Sequence, residues 1–209
     1  MPFYMITAII LAAGEAKRMG RIKQLLPWGR STVLETVISQ VANCKYIDDE
    51  VRVVLGAYQE KISPVLRKWE QPGLRVMINN NYQQGMLSSI HKGVEGLPEE
   101  TEYLMFFLGD KPMITTELIN SIALELLKRR PEIMVPVFKG QRGHPVIITT
   151  ALLPEVYQLT GPGGLRSLLQ KYPERVYSLE VANRGITVDI DYYEDYLKLR
   201  KNLDYLDQD

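Results

Sequence analysis

Cysteine is nearly absent from this chain: Cys44 is the only one in 209 residues. No intrachain disulfide can form, and a reducing, cytoplasmic setting is expected. Also missing is any run near the ~20 apolar residues that cross a bilayer. The first apolar stretch, residues 5–13, has no basic leader before it and runs into Gly14 and a basic loop, which is the pattern of a buried strand. Nor is there a surplus of charge, since 25 Lys and Arg balance 25 Asp and Glu. Binding many nucleic-acid phosphates needs such a surplus, so neither nucleic acid nor a membrane is an expected partner, and any anion site must be built locally.

What is present reads as one α/β domain, expected to span residues 1–209. Apolar residues make up 45%, enough for a buried core at this length. Short β-rich runs at 6–12, 51–55, 74–78, 103–108, 133–137 and 146–148 alternate with helical patterns near 32–42, 58–68, 88–95 and 115–129. Near-continuous apolar strands such as Leu104-Met105-Phe106-Phe107-Leu108 suit a sheet covered on both faces. The alternation predicts right-handed crossovers and a mostly parallel, doubly wound, Rossmann-like sheet. From about residue 150 the pattern is irregular, and it ends in an acidic, Tyr-rich helix. In such sheets ligands bind beyond the carboxyl ends of the strands, so the residues following positions 12, 55, 78 and 108 are the places to look.

After the first strand come Leu11-Ala12-Ala13-Gly14, then Lys17, Arg18, Arg21 and Lys23, with no acid among residues 17–23. Glycine lets a backbone turn tightly and present N–H groups to an anion. The spacing is neither a Walker A loop nor a Rossmann fingerprint. A basic run is also what a solvated turn looks like; its place directly after a buried strand favours an anion loop. Residues 109–112, Gly109-Asp110-Lys111-Pro112, put a carboxylate at the end of another buried strand, where it suits either a turn or Mg²⁺ held over a phosphate. Asp189-Ile190-Asp191 adds a second acidic pair. On a strand these two would share a face, and Asp191 also suits a helix cap. Residues 79–89 are rich in uncharged hydrogen-bonders and contain Gly85 and Ser88, the latter also a natural N-cap. Two further turns carry Arg142, Gly143 and His144, and Gly163 and Arg166.

The pattern Leu11-Ala12-Ala13-Gly14-x-x-x-Arg18-Met19-Gly20-x-x-Lys23 resembles the signature loop of the MobA-like NTP transferases, and within them most resembles the molybdenum cofactor cytidylyltransferase branch. Five motifs in the expected order, from about residue 8 to 196, carry the resemblance. It implies a nucleotidyltransferase-type sheet and these roles. Leu11, Ala12, Ala13, Gly14, Gly85, Ser88 and Gly109 border the nucleotide, and Arg18 and Lys23 grip its phosphates. Asp110 and Asp191 hold Mg²⁺. Arg142, His144, Gly163 and Arg166 form the acceptor side. Lys23, Arg18 and Asp110 are the expected catalytic set. Ala16, Pro162 and Tyr192-Tyr193 depart from the family pattern.

The implied reaction is attack of an acceptor phosphate on the α-phosphorus of an NTP, releasing pyrophosphate. Ala13 places the chain with members that lean towards CTP rather than GTP. The implied acceptor is the terminal phosphate of a molybdopterin-type cofactor, with a molybdoenzyme as a possible recipient of the product. Two alternatives stand beside this: a guanylyltransferase using GTP on the same cofactor, and a non-catalytic carrier or chaperone for it. His91 receives no role.

Overall fold

The computed structural model describes residues 5–47, 50–67, 69 and 73–206, with side chains as far as residue 201. Along the chain lie β1 (Met5–Ala12), a small hairpin of β2 (Pro27–Trp28) and β3 (Ser31–Thr32), α1 (Val33–Ala42), β4 (Val51–Leu55), α2 (Gln59–Leu66), β5 (Leu74–Ile78), α3 (Met86–Gly93) and β6 (Thr101–Leu108). Then follow α4 (Thr116–Arg129), β7 (Ile133–Phe138), β8 (Gln141–Arg142), β9 (Val146–Thr149), α5 (Leu153–Tyr157), α6 (Leu165–Lys171), β10 (Val176–Glu180) and α7 (Tyr193–Leu206).

The main sheet runs β10-β7-β9-β6-β1-β4-β5, with β8 paired to β7. β1 lies parallel between β4 and β6, β5 continues parallel beyond β4, and β10 is parallel to β7. β9 runs antiparallel between β6 and β7. The sheet is therefore α/β and mostly parallel, as expected. Both faces are buried. On β1, Ile6, Ala8 and Ile10 enter a core with Ile38 of α1 and Ile119 and Ile122 of α4, whereas Ile9 enters a second core with Ile90 of α3 and Leu168 of α6. The period-two alternation of β1 thus feeds two layers of helices, which is why its sequence reads as continuously apolar.

Local signals set the helix starts. Thr32 and Glu35 form a reciprocal capping box on α1, and Thr115 caps α4 through its hydroxyl. The six predicted strands are present at or near their expected bounds. The helix expected over 58–68 spans Gln59–Leu66, and Lys68 lies outside the described residues. α3 begins at Met86 with Gly85 as its N-cap, so Ser88 sits inside the helix rather than at its start. The irregular-looking tail also contains β10 and α6, which extend the sheet and cover its second face. Asp189 and Asp191 lie in an extended loop before α7, not on a strand. Among the described residues, no helix is long and apolar enough to cross a membrane.

Candidate active site

The carboxyl ends of β1 and β6, together with the turn after β5, border a cleft of about 460 Å³. Main-chain bonds fix its floor: Gly109 N–H donates to Leu11 O (2.9 Å) and Ala57 N–H to Ala13 O (3.0 Å). Two glycines let the strand ends approach this closely. A Cβ on Gly109 would lie 2.8 Å from Ala12 Cβ, and one on Gly56 would lie 2.6 Å from Tyr82 Cβ. Buried Gln24 donates from Nε2 to Ala12 O (3.1 Å), tying the return of the basic loop to its beginning.

Of the residues expected at a nucleotide and metal site, Leu11, Ala12, Ala13, Gly14, Lys23, Gly85, Gly109, Asp110 and Asp191 line this one cleft. Lys23 Nζ forms an ion pair with Asp110 Oδ2 and stands 3.7 Å from Asp191 Oδ1. Arg18 is exposed outside the lining and reaches Asp191 Oδ2 at 3.2 Å. Asp189 lines the cleft as well, but it pairs with Lys111 at 2.7 Å.

Ser88 does not line the cleft. Its hydroxyl accepts from Asn79 Nδ2 (2.9 Å) and bonds to Asn81 O and Gly85 O, bracing the 79–85 turn from behind. Ser89 lines the cleft in its place. Helix α3 begins earlier than the hydrogen-bonding residues suggest, which turns the second serine of the pair inward.

The four residues expected on the acceptor side also lie outside the lining. Arg142 is exposed on β8, opposite Val137. Gly163 belongs to the turn before α6 and the exposed Arg166 to the first turn of that helix; the turn reaches the rim through Gly164, where a Cβ would lie 2.8 Å from Met86 Sδ. The His144 ring packs behind the carboxylates, with Nδ1 3.4 Å from Phe106 O. Burial, helped by the nearby Lys111 ammonium, lowers its pKa from 6.5 to about 4. His144 is therefore a neutral imidazole near pH 7.

Two residues of this neighbourhood escape a reading by motif. Gln24 and Lys111 are both buried and polar. Their only sequence signal is position, one directly after Lys23 and the other directly after Asp110.

Among the described residues, no three or more His, Cys, Asp or Glu side chains form a metal-binding cluster. Mg²⁺ does not require one, because it takes one or two protein carboxylates and completes its octahedron with water and phosphate oxygens. Asp110 fits that role: its Oδ1 is buried and lacks a hydrogen-bond partner, while Oδ2 is held by Lys23.

A doubly wound sheet with a cationic, glycine-bearing loop after β1 and a carboxylate after the neighbouring β6 is a nucleotidyltransferase architecture. The chain belongs to the MobA-like NTP transferase family, whose domain model matches residues 8–176. It is 28% identical over 196 residues to the molybdenum cofactor cytidylyltransferase of Escherichia coli K12, covering 94% of this chain and 96% of that one. It is also 28% identical over 206 residues to nicotine blue oxidoreductase of Paenarthrobacter nicotinovorans, with coverage of 93% and 96%. A probable molybdenum cofactor guanylyltransferase of Natranaerobius thermophilus matches at 28% over 137 residues, 65% of this chain and 62% of its own length. Among solved structures, Rv0371c of Mycobacterium tuberculosis in complex with manganese superposes with a TM-score of 0.77 at 23% identity, covering 95% of this chain and 98% of that one.

Proposed function

We propose that this nucleotidyltransferase moves CMP from CTP onto the terminal phosphate of a molybdopterin-type cofactor, with Mg²⁺, and releases pyrophosphate. The observation that supports it most is the continuous set Arg18–Asp191–Lys23–Asp110, whose last three members line one cleft with Ala12, Ala13 and Gly14. Since three named relatives share the same 28% identity, the choice of chemistry rests on this site rather than on similarity.

Lys23 and Arg18 neutralise the triphosphate and hold its α-phosphorus in line with the entering oxygen. The acceptor phosphate is largely ionised near pH 7, so an oxygen lone pair forms the new P–O bond as the bond to pyrophosphate breaks, without a general base. The neutral His144 fits this economy: it neither donates nor removes a proton in the reaction. Asp110 and Asp191 would hold Mg²⁺, which when bound lowers the charge repulsion between the two phosphates. Positioning and charge neutralisation then account for the rate. Ala13 supports CTP because a methyl group near the base would crowd a purine more than a pyrimidine.

The test is pyrophosphate release with CTP, GTP, ATP and UTP in turn, with Mg²⁺ and molybdopterin cofactor as acceptor. Release with CTP alone is expected. Release with GTP alone would keep the mechanism and transfer the chain to the guanylyl side. Cofactor binding without release from any NTP would identify a carrier. Asp110→Asn is expected to abolish turnover in a chain that still folds; unchanged turnover would refute the assignment of Asp110.

A further inference from the structure

The segment 188–191 has no regular structure of its own, so side chains must hold it in place. Its two aspartates go to different cations. Asp191 meets Arg18 at 3.2 Å and Lys23 at 3.7 Å, both from the loop after β1. Asp189 meets Lys111 at 2.7 Å, and the same ammonium donates to Val188 O at 3.2 Å. Lys111 is only 3% exposed, whereas Asp189 is half-exposed. A buried ammonium needs its partners more than a half-exposed carboxylate does, so the lysine is the fixed point and the loop is what it fixes.

Both aspartates line the cleft, two residues apart. With its partner removed, Asp189 would be a third carboxylate free to approach Lys23 and the open face of Asp110. We infer that Lys111 is a positioning residue: by binding Asp189 and Val188 O it turns Asp189 aside and leaves Asp191 to stand with Asp110 at the metal and phosphate position. The consequence for turnover rests on the nucleotidyl-transfer reading; the geometry does not.

Two readouts are needed, Mn²⁺ affinity of the nucleotide-free protein by electron paramagnetic resonance and steady-state pyrophosphate release. Lys111→Met keeps the length of the buried stem, deletes a positive charge and frees Asp189. It is expected to bind Mn²⁺ about tenfold more tightly while losing about tenfold in kcat, the size of an ordinary coupling between contacting side chains. Adding Asp189→Asn to that variant should return both quantities to within about threefold of wild type. A residue that merely stabilised the fold would lower the melting temperature without tightening Mn²⁺, and its loss would not be repaired by a second substitution. Should Lys111→Met fail to fold, Asp189→Asn alone still decides, because the amide oxygen it introduces can accept from Lys111 and is expected to leave Mn²⁺ affinity near wild type. Mn²⁺ binding unchanged in Lys111→Met, a double variant as defective as the single, or loss of Mn²⁺ binding in Asp189→Asn would each overturn the inference. Wild-type protein that releases no pyrophosphate would sink the proposed reaction instead, while the Mn²⁺ series would still judge Lys111.

Discussion

Gly56→Ala tests whether the strand ends around the cleft act as a rigid frame. Gly56 follows β4, and its φ is one an alanine can adopt, so space rather than backbone strain decides the outcome. The new Cβ would lie 2.6 Å from Tyr82 Cβ and 2.9 Å from both Tyr82 Cγ and Ala13 Cβ. Carbon atoms rest at roughly 3.5–4.0 Å, so the gap must widen by about 1 Å. Two of the three atoms are Cβ carbons, which no rotamer change can move. The main chain at Ala13 and at the 79–85 turn must therefore part, at a cost of about 1–3 kcal/mol. For a chain of this length that lowers the melting temperature by roughly 2–12 °C. Ala13 and Tyr82 both line the cleft, and a displacement of about 1 Å at a reacting site costs about a hundredfold in rate. Urea unfolding and kcat/KM for CTP, measured on the same preparation, are expected to show both losses. A kcat/KM within about threefold of wild type and an unchanged unfolding midpoint would mean that the Tyr82 turn yields freely, and the rigid-frame reasoning would fail.

Gly14→Ala gives the opposite signature, because nothing lies within 4 Å of its added Cβ. Stability should stay within about 0.5 kcal/mol, while on the proposed reading calorimetric titration should show CTP binding weakened by roughly tenfold, since the methyl group would occupy space needed where the nucleotide approaches the backbone. Arg52 is fully buried near the start of β4, away from the cleft, and donates to Gly93 O (2.9 Å), Glu95 O (2.7 Å), Gly96 O (2.7 Å) and Glu50 Oε2 (3.0 Å). Arg52→Ala leaves three carbonyls behind α3 without their donor and should cost about 3–5 kcal/mol in urea unfolding, with kcat of the folded protein unchanged. His144 has a folded pKa of about 4 against an ordinary 6.5, so the unfolded chain takes up a proton that the folded chain refuses. Its contribution to stability is complete above pH 6.5 and is lost as pH falls towards 4, amounting to at most about 3 kcal/mol. His144→Gln should flatten that part of the stability–pH curve.

The sequence is most readable where one element determines its own surroundings. β1, β4 and β6 carry apolar runs that only a doubly covered sheet explains, and once they are placed, Gly14, Lys23 and Asp110 fall at one edge. β10 is different: Val-Tyr-Ser-Leu-Glu lies at the edge of the sheet, half-exposed, so it lacks the apolar run that would announce a strand. The choice between Ser88 and Ser89 turns on a helix start set by Gly85, a shift of two residues that rotates each serine to another face. Read as strand residues, Asp189 and Asp191 would point together. They diverge because each is claimed by a cation from a different part of the chain, and such long-range pairing leaves no trace in local pattern.

On the proposed reading, that pairing also bears on how a chain of zero formal charge would hold a triphosphate. Each cation at the site already has a carboxylate: Arg18 has Asp191, Lys23 has Asp110 and Lys111 has Asp189. The three pairs differ in what it takes to open them. Arg18 and Asp191 are 68% and 44% exposed, so their mutual attraction is worth little in water and yields readily to a phosphate. Lys23 and Asp110 are 16% and 14% exposed, and separating them would strand two poorly solvated charges. On the proposed reading, an arriving triphosphate takes Arg18 first, and the Asp191 it displaces becomes available to a cation. The anion thus prepares the carboxylate that its own metal requires, and the metal in turn makes Arg18 easier to take. Binding of the two is coupled, with the same factor in either order.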